Sequence, residues 1–382
     1  MDFIPIDYES LRLIWWALLG VLLIGFAIMG GMDLGIGTLL PAVARTDEER
    51  RVLINLMGPT WEGNQVWLIL GGGAIFAAFP PLYAVSFSGF YLAMIVILLA
   101  LILRPVGFKF RGKIADHRWR AVWDWSLFIG GFVPALILGV AVGNALLGAP
   151  FDLDRTLRPS YLGNFFGLLM PFALVAGLVS LAMVVTLGAS VIAKRTNGDI
   201  AERAARYGQW SGIAAIVLFA LAGVWVAFGL EGYVITSQVV TDAGSNPLAK
   251  EVTRQTGVWL ANYSVHPWTI AAPVLGFAGM ALAVIGLRLG RDVVAILASA
   301  IGIAGIVATA GLSMFPFLLP SSYNPDASLT VWDASSSHLT LFIMLVATVF
   351  FMPIIIAYTS WVYKVMSGPV SGESLSKNPN AY

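Results

Sequence analysis

The chain has 382 residues, 58% of them hydrophobic and only 11% charged, with a formal net charge of +1 and a mean hydropathy of +0.84. Soluble domains carry roughly 25% charged residues, so a soluble enzyme or a nucleic-acid-binding module is excluded and the chain reads as an all-α integral membrane protein. Cys is absent, which removes disulfides, thiolate nucleophiles and cysteine metal sites together, and only His117, His266 and His338 remain as imidazole ligands.

The N-terminal dozen residues hold Asp2, Asp7 and Glu9 and no basic n-region, and the apolar run that follows is too long for a signal-peptide core, so the first span reads as retained. A bilayer core of roughly 30 Å takes about 20 helical residues. Nine runs meet that length, near 12–41, 52–79, 82–103, 122–147, 163–192, 209–230, 268–287, 293–319 and 338–364. Pro80-Pro81 separates the second from the third, and Arg288, Arg291 and Asp292 form a polar turn between the seventh and eighth, which makes sequence neighbours antiparallel neighbours. The longest connection, 231–267, contains Asn246-Pro247 and a helix-like stretch near Lys250 to Trp259; it reads either as a cap or partner contact on the outer face or as a plain surface loop. Residues 320–337 are rich in turn formers and hold no basic residue, as an outer loop would. The polar tail, 365–382, reads as disordered.

Lys and Arg set the orientation. The odd-numbered loops and the C-terminal tail hold 17 of the 22: Arg45, Arg50 and Arg51; Arg104, Lys109, Arg111, Lys113, Arg118 and Arg120; Lys194, Arg195, Arg203 and Arg206; Arg288 and Arg291; Lys364 and Lys377. The N-terminus and even-numbered loops hold Arg12, Arg155, Arg158, Lys250 and Arg254. The positive-inside rule then puts the N-terminus outside and the C-terminus in the cytoplasm. Trp15 and Trp16, Trp119, Trp123 and Trp125, Trp259 and Trp268, and Trp361 mark interfacial belts.

Two carboxylates lie deep in the first pair of runs. Asp33 is 12 residues from Arg45 and Glu62 is 11 from Arg51, so at 1.5 Å per residue each sits roughly 16–18 Å from the basic turn. An antiparallel hairpin places them at one level, where they could share a proton or a water cluster. A central Asp costs at least about 2.5–3.5 kcal/mol even on the permissive insertion scale, so such residues face a bundle interior or a water-filled cavity. Gly30, Gly31, Gly35 and Gly37 remove bulk around Asp33, letting another helix or water approach. Pro59 frees the carbonyl of Asn55, and Asn55, Glu62, Asn64 and Gln65 form a polar strip that either conducts protons inward from the cytoplasm or only holds helices together. Other polar residues have simpler roles: Asp124 as a boundary salt bridge near Arg118 and Arg120, Glu231 snorkelling at the outer end of the sixth span, and Asn144 and Asn164 as caps. The three His are placed at a membrane edge or in loops, so the chain has almost no means of ligating a haem itself.

A family resemblance adds the chemistry. Gly25-Phe26-Ala27 with Met32-Asp33-Leu34-Gly35-Ile36-Gly37, and above all Trp61-Glu62-Gly63-Asn64-Gln65-Val66-Trp67-Leu68, resemble the signatures of subunit II of cytochrome bd-type quinol oxidases. Phe87-Ser88-Gly89-Phe90-Tyr91, Arg104-Pro105-Val106-Gly107-Phe108, Trp119-Arg120 with Trp123-Asp124-Trp125, Gly163-Asn164-Phe165-Phe166, Ala222-Gly223-Val224-Trp225, Gly232-Tyr233, Met314-Phe315-Pro316-Phe317 and the run Ser328 to Ser336 match as well. The likeness runs from the first span to the last.

The resemblance implies a haem-free subunit of the bacterial inner membrane, paired with a subunit I that carries haems b558, b595 and d and the outer quinol site. Such a complex oxidises quinol, reduces dioxygen to water and draws the chemical protons from the cytoplasm, so it is electrogenic without pumping. It further implies two four-helix bundles, 1–147 and 148–319, then an outer loop and a peripheral ninth helix in 320–364. Other partners implied are membrane lipids and, in part of the family, a small single-span subunit. A structural quinone occurs in some members, though no residue here assigns one. The proton pathway falls on Asp33, Glu62, Asn64, Gln65 and Trp61, with no catalytic or metal-ligating residue in this chain. Some relatives carry Asp at the position of Glu62 and another Asp at that of Gly30, which leaves Asp33 as the second acid here. Two rivals remain. A secondary transporter would also pair carboxylates and could use breaks at Gly71-Gly72-Gly73 or Gly130-Gly131, but would work without a haem partner. A purely structural scaffold would tolerate neutral Asp33 and Glu62.

Overall fold

The computed structural model describes residues 4–370. Asp2, Lys377 and the tail from residue 371 onward lie outside them. Helix α1 (Tyr8–Val43) starts at Asp7, whose carboxylate accepts from the Ser10 N–H. Helix α2 (Asp47–Met57) starts in a capping box between Thr46 and Glu49. Pro59 can neither donate nor sit inside a helix without clashing with the residue four back, so the run expected over 52–79 is two helices, and α3 begins afresh as Trp61–Ala78. Pro80 and Pro81 open α4 (Pro80–Gly89), and α5 (Tyr91–Phe110) runs on well past the expected end at residue 103. Helix α6 (His117–Leu147) is capped by Asp116.

A hairpin of β1 (Phe151–Leu153) and β2 (Pro159–Tyr161) follows, so α7 (Pro171–Arg195) starts later than expected. Helix α8 (Asp199–Phe228) leads to β3 (Glu231–Ile235), paired with β4 (Val252–Thr256). The stretch expected to be helix-like near Lys250 to Trp259 is therefore a strand and a short 3-10 turn: Val252, Thr253 and Thr256 are β-branched and favour extended backbone. Helices α9 (Ala261–Val265), α10 (Ala271–Arg288) and α11 (Asp292–Met314) come next, then β5 (Phe317–Leu319), paired with β6 (Leu329–Thr330), and α12 (His338–Val365).

Among the described residues eight helices are long and apolar enough to cross a membrane: α1, α5, α6, α7, α8, α10, α11 and α12. The second of the nine runs expected from sequence is absent from that set, because α3 is 18 residues long and opens with Glu62, Asn64 and Gln65. One apolar core cluster extends from α1 and α2 through α5, α6, α7 and α8 to α10 and α11. Tight crossings of α1 centre on Gly35, where a Cβ would lie 2.1 Å from the Val184 carbonyl oxygen of α7, so no other residue fits without parting the two helices.

The loop-bearing end is fastened by two buried cations. Arg12, at 0% exposure, donates to Ser335 Oγ (2.8 Å), Ser245 Oγ (3.2 Å) and the carbonyls of Thr241 (2.5 Å) and Ala243 (2.9 Å), and it lies over the Tyr8 ring. Lys250 pairs with Asp333 at 2.9 Å and donates to the Pro247 and Ser328 carbonyls. Nearby, the Ser336 N–H bonds the Ala78 carbonyl at the end of α3, and the Trp15 indole bonds the Leu341 carbonyl of α12.

Candidate functional site

Asp33, on α1, is 1% exposed and accepts a 2.7 Å hydrogen bond at Oδ2 from the amide of Asn64, itself 2% exposed and in the first turn of α3. The other face of that amide, Oδ1, accepts from the hydroxyl of Tyr363, near the end of α12, and Thr60 stands beside the same hydroxyl. Arg104 approaches from α5, 4% exposed, its chain lying against Gly130 and its guanidinium 5.7 Å from the centre of the Trp61 ring. It faces the charge of Asp33 without forming an ion pair, and both Asp33 Oδ1 and Arg104 Nη2 are buried with no hydrogen-bond partner. Buried polar groups are paired in the great majority of cases, so two orphaned atoms of opposite charge in one place single this site out.

Of the residues picked from sequence, Asp33 and Asn64 are brought together, Trp61 and Gln65 lie half-buried alongside, and Glu62 is exposed. Asp33 and Glu62 thus make no contact. Two helical steps turn about 200°, so if Asn64 faces α1, Glu62 faces away. Glu62 shares its outward face with Val66, Ile69, Gly73 and Phe76, spaced four, three, four and three residues apart and all exposed. Asn55 donates to its own helix, to the Arg51 carbonyl, and Pro59 stands in the turn between α2 and α3 rather than inside a helix.

Two participants were not singled out from sequence. Arg104 was read as a loop cation, but α5 runs six residues beyond it. Tyr363 carried no signal beyond being a hydroxyl inside the last apolar run.

At the same end of the molecule a set of further charges is paired. Asp124 binds Arg50 (2.9 Å) and Arg111, and Asp47 binds Arg111 (2.7 Å) and Arg120 (2.8 Å). The boundary salt bridge expected for Asp124 is there, with Arg50 and Arg111 in place of Arg118 and Arg120. Glu49 accepts from Arg203 (2.6 Å) and from the Arg45 N–H (2.6 Å). Burial pushes its carboxyl up, but those hydrogen bonds outweigh it and hold the group below the ordinary glutamate range. Asn144, expected as a cap, lies inside α6 and donates to the Val140 carbonyl of its own helix and to the Leu168 carbonyl, while Asn164 accepts from the Gly167 N–H of the short turn that follows it. His117 and His266 are exposed, and His338 bonds the Ile6 carbonyl, so the donor set does not fit a haem ligated from this chain by histidine.

A family profile described as cytochrome bd terminal oxidase subunit II matches residues 11–366. The chain belongs to that family. It is 50% identical over 376 residues to cytochrome bd-I ubiquinol oxidase subunit 2 of Escherichia coli (strain K12), covering 98% of this chain and 99% of the relative. It is 47% identical to a probable cytochrome oxidase subunit 2 of Haemophilus influenzae and 32% identical to cytochrome bd ubiquinol oxidase subunit 2 of Bacillus subtilis, each over 98% of this chain and 99% of the relative. The bd oxidase structure from Geobacillus thermodenitrificans contains a chain of the same fold, with a TM-score of 0.69 at 17% identity, covering 93% of this chain and 98% of that one. The resemblance read from the tryptophan block is borne out.

Proposed function

We propose that the chain is the haem-free subunit II of a cytochrome bd-type quinol:O2 oxidoreductase, a multi-pass protein of the bacterial cytoplasmic membrane that supports subunit I and brings it protons from the cytoplasm. The single observation that carries the uptake role is the buried Asp33, with one oxygen held by Asn64 and the other without a partner. A carboxyl so placed, with Arg104 facing it and one oxygen open, can take and return a proton.

Glu62 supports the same reading from the opposite face of α3. A charged group in hydrocarbon costs at least about 2.5–3.5 kcal/mol, so the stripe Glu62, Val66, Ile69, Phe76 belongs against a protein partner, and subunit I is the partner that the family supplies. Asn64 and Gln65 stand between the two acids. Haems b558, b595 and d are assigned to subunit I, where quinol oxidation and oxygen reduction take place; this chain holds and moves protons.

Nine crossings are favoured over eight because α3 is tied to the last span at both of its ends: Asn64 meets Tyr363 of α12, and the Ala78 carbonyl meets the Ser336 N–H just before that helix. With α4 and α5 as one interrupted crossing, the chain groups as 1–147, 148–319 and a separate ninth helix, and the Lys and Arg distribution puts the N-terminus outside and the C-terminus in the cytoplasm.

The test uses the assembled oxidase carrying Asp33→Asn or Glu62→Gln. Oxygen reduction should slow roughly ten- to a hundredfold, at or below the low end of what a lost proton-transfer group costs, with the haem absorption spectrum unchanged. Wild-type rates in both variants at several pH values would leave a structural scaffold in place of the relay, and a chain that purifies in working form without a haem partner would favour the transporter.

A further inference from the structure

Helix α12 is scarcely packed: among its described residues only Leu341 is buried. It is held at its two ends. The outer end is tied through the Leu341 carbonyl and through His338, which bonds the Ile6 carbonyl. The inner end is tied by polar groups, because Arg195 bonds the Met366 and Gly368 carbonyls, its own carbonyl accepts from the Val370 N–H, and Tyr363 reaches Asn64. A helix with so little apolar contact thus delivers one hydroxyl to the partner of the buried acid.

We propose that Tyr363 is a positioning residue that sets which way the Asn64 amide points and couples that direction to the protonation of Asp33. An Asn side chain offers an accepting oxygen at one corner and a donating NH2 at the other. As observed, the NH2 donates to Asp33 Oδ2 while the oxygen accepts from the Tyr363 hydroxyl. That arrangement suits an ionised carboxylate, which can only accept. With a proton on Oδ2, Asp33 becomes a donor and the amide must turn over: its oxygen accepts from Asp33, its NH2 donates to the Tyr363 oxygen, and the phenol hydrogen turns to Thr60.

In both states the amide and the phenol keep their partners, because a hydroxyl donates and accepts. Only the Asp33 O–H bond is made or broken, and the proton enters and leaves at Asp33. The groups facing Asp33 are Arg104 from α5, Asn64 from α3 and, through the amide, Tyr363 from α12; α7 presents Val184 and Gly188 to the adjoining stretch of α1 and adds no charge there. Tyr363→Phe leaves the amide oxygen alone in the first state and the NH2 alone in the second. The effect on turnover rests on the uptake route proposed above, whereas the coupling itself does not.

The test is infrared spectroscopy of the assembled oxidase, with the Asp33 carboxyl band identified by its loss in Asp33→Asn. In Tyr363→Phe that band and the Asn64 amide band should shift, and oxygen reduction should slow about three- to tenfold, the equivalent of one hydrogen bond, with haem content retained. Asn64→Leu should slow turnover as well, and adding Tyr363→Phe to it should cost nothing further, since the two act through one contact. In the wild-type complex grown on isotopically labelled tyrosine, the band of one tyrosine should change in step with the Asp33 band as pH is varied, a readout that needs no variant to assemble. Unchanged Asp33 and Asn64 bands in Tyr363→Phe, or no tyrosine band moving with Asp33, would overturn the proposal. If Asp33→Asn kept the wild-type rate while Tyr363→Phe still moved the Asp33 band, the uptake route would fall and the coupling would stand.

Discussion

The two ends of the molecule treat buried charge in opposite ways. At the loop-bearing end Arg12 and Lys250 each direct their donors to carbonyls, serines and one Asp, so a long loop is clamped onto its neighbour with every contact closed. At the opposite end Arg104 and Asp33 are at least as deeply placed as Lys250, yet they face one another unbonded, each with an orphaned atom. The chemistry is the same, cation and acceptor in a low-dielectric interior, but one site is saturated and the other is poised. Saturation favours rigidity, and unsatisfied groups collect where a protein works.

Removing a closed contact should therefore cost structure, and altering the open one should cost only rate. The largest effect is expected for Arg12→Met, which leaves the Thr241 and Ala243 carbonyls without their donor and takes one partner from Ser245 and Ser335, and should destabilise the loop-bearing end by about 3 kcal/mol or more. It would be read as loss of assembled, haem-bearing oxidase from membranes. Gly35→Ala puts a methyl into the Val184 carbonyl and should cost about 1–3 kcal/mol as overpacking, measured as a lower unfolding temperature of the purified complex. Asp33→Asn should leave that temperature equal or higher, since it removes the burden of a buried charge, while oxygen reduction falls. A drop in stability like that of Arg12→Met would erase the contrast between the ends.

The smallest effect belongs to Glu49. Its carboxyl is held below the ordinary value of 4.5, so its contribution is complete above that range and is lost as pH falls through the lowered value. Wild type should lose about 2 °C or less of thermal stability across that window relative to Glu49→Gln; parallel curves would show that the Arg203 contact adds nothing.

Much of this was written in the sequence, and the gaps have physical causes. Apolar run length and Lys/Arg bias are strong signals, and they located α1, α6, α7, α8, α10, α11 and α12 to within a few residues at most ends. Pro59 was visible but was read as a flaw within one helix, because a proline in a long apolar run announces a break without saying how complete it is. Lys250 to Trp259 looked helical, but its β-branched residues pair with β3. Asp33 was legible as a lone charge among glycines. Its partner was not: facing depends on the starting point of α3, and Asn64 instead of Glu62 follows from a restart at Trp61. Arg104 and Tyr363 could not be found by spacing, since each reaches the site from a helix distant in sequence.

The outward stripe on α3 bears on the life of the chain before it finds its partner. A subunit left alone in the bilayer would present Glu62 to acyl tails along its otherwise greasy flank, a standing penalty that only docking relieves. On the docking proposed above, pairing would take one carboxylate out of the lipid, so this side chain would favour the assembled state over the lone subunit.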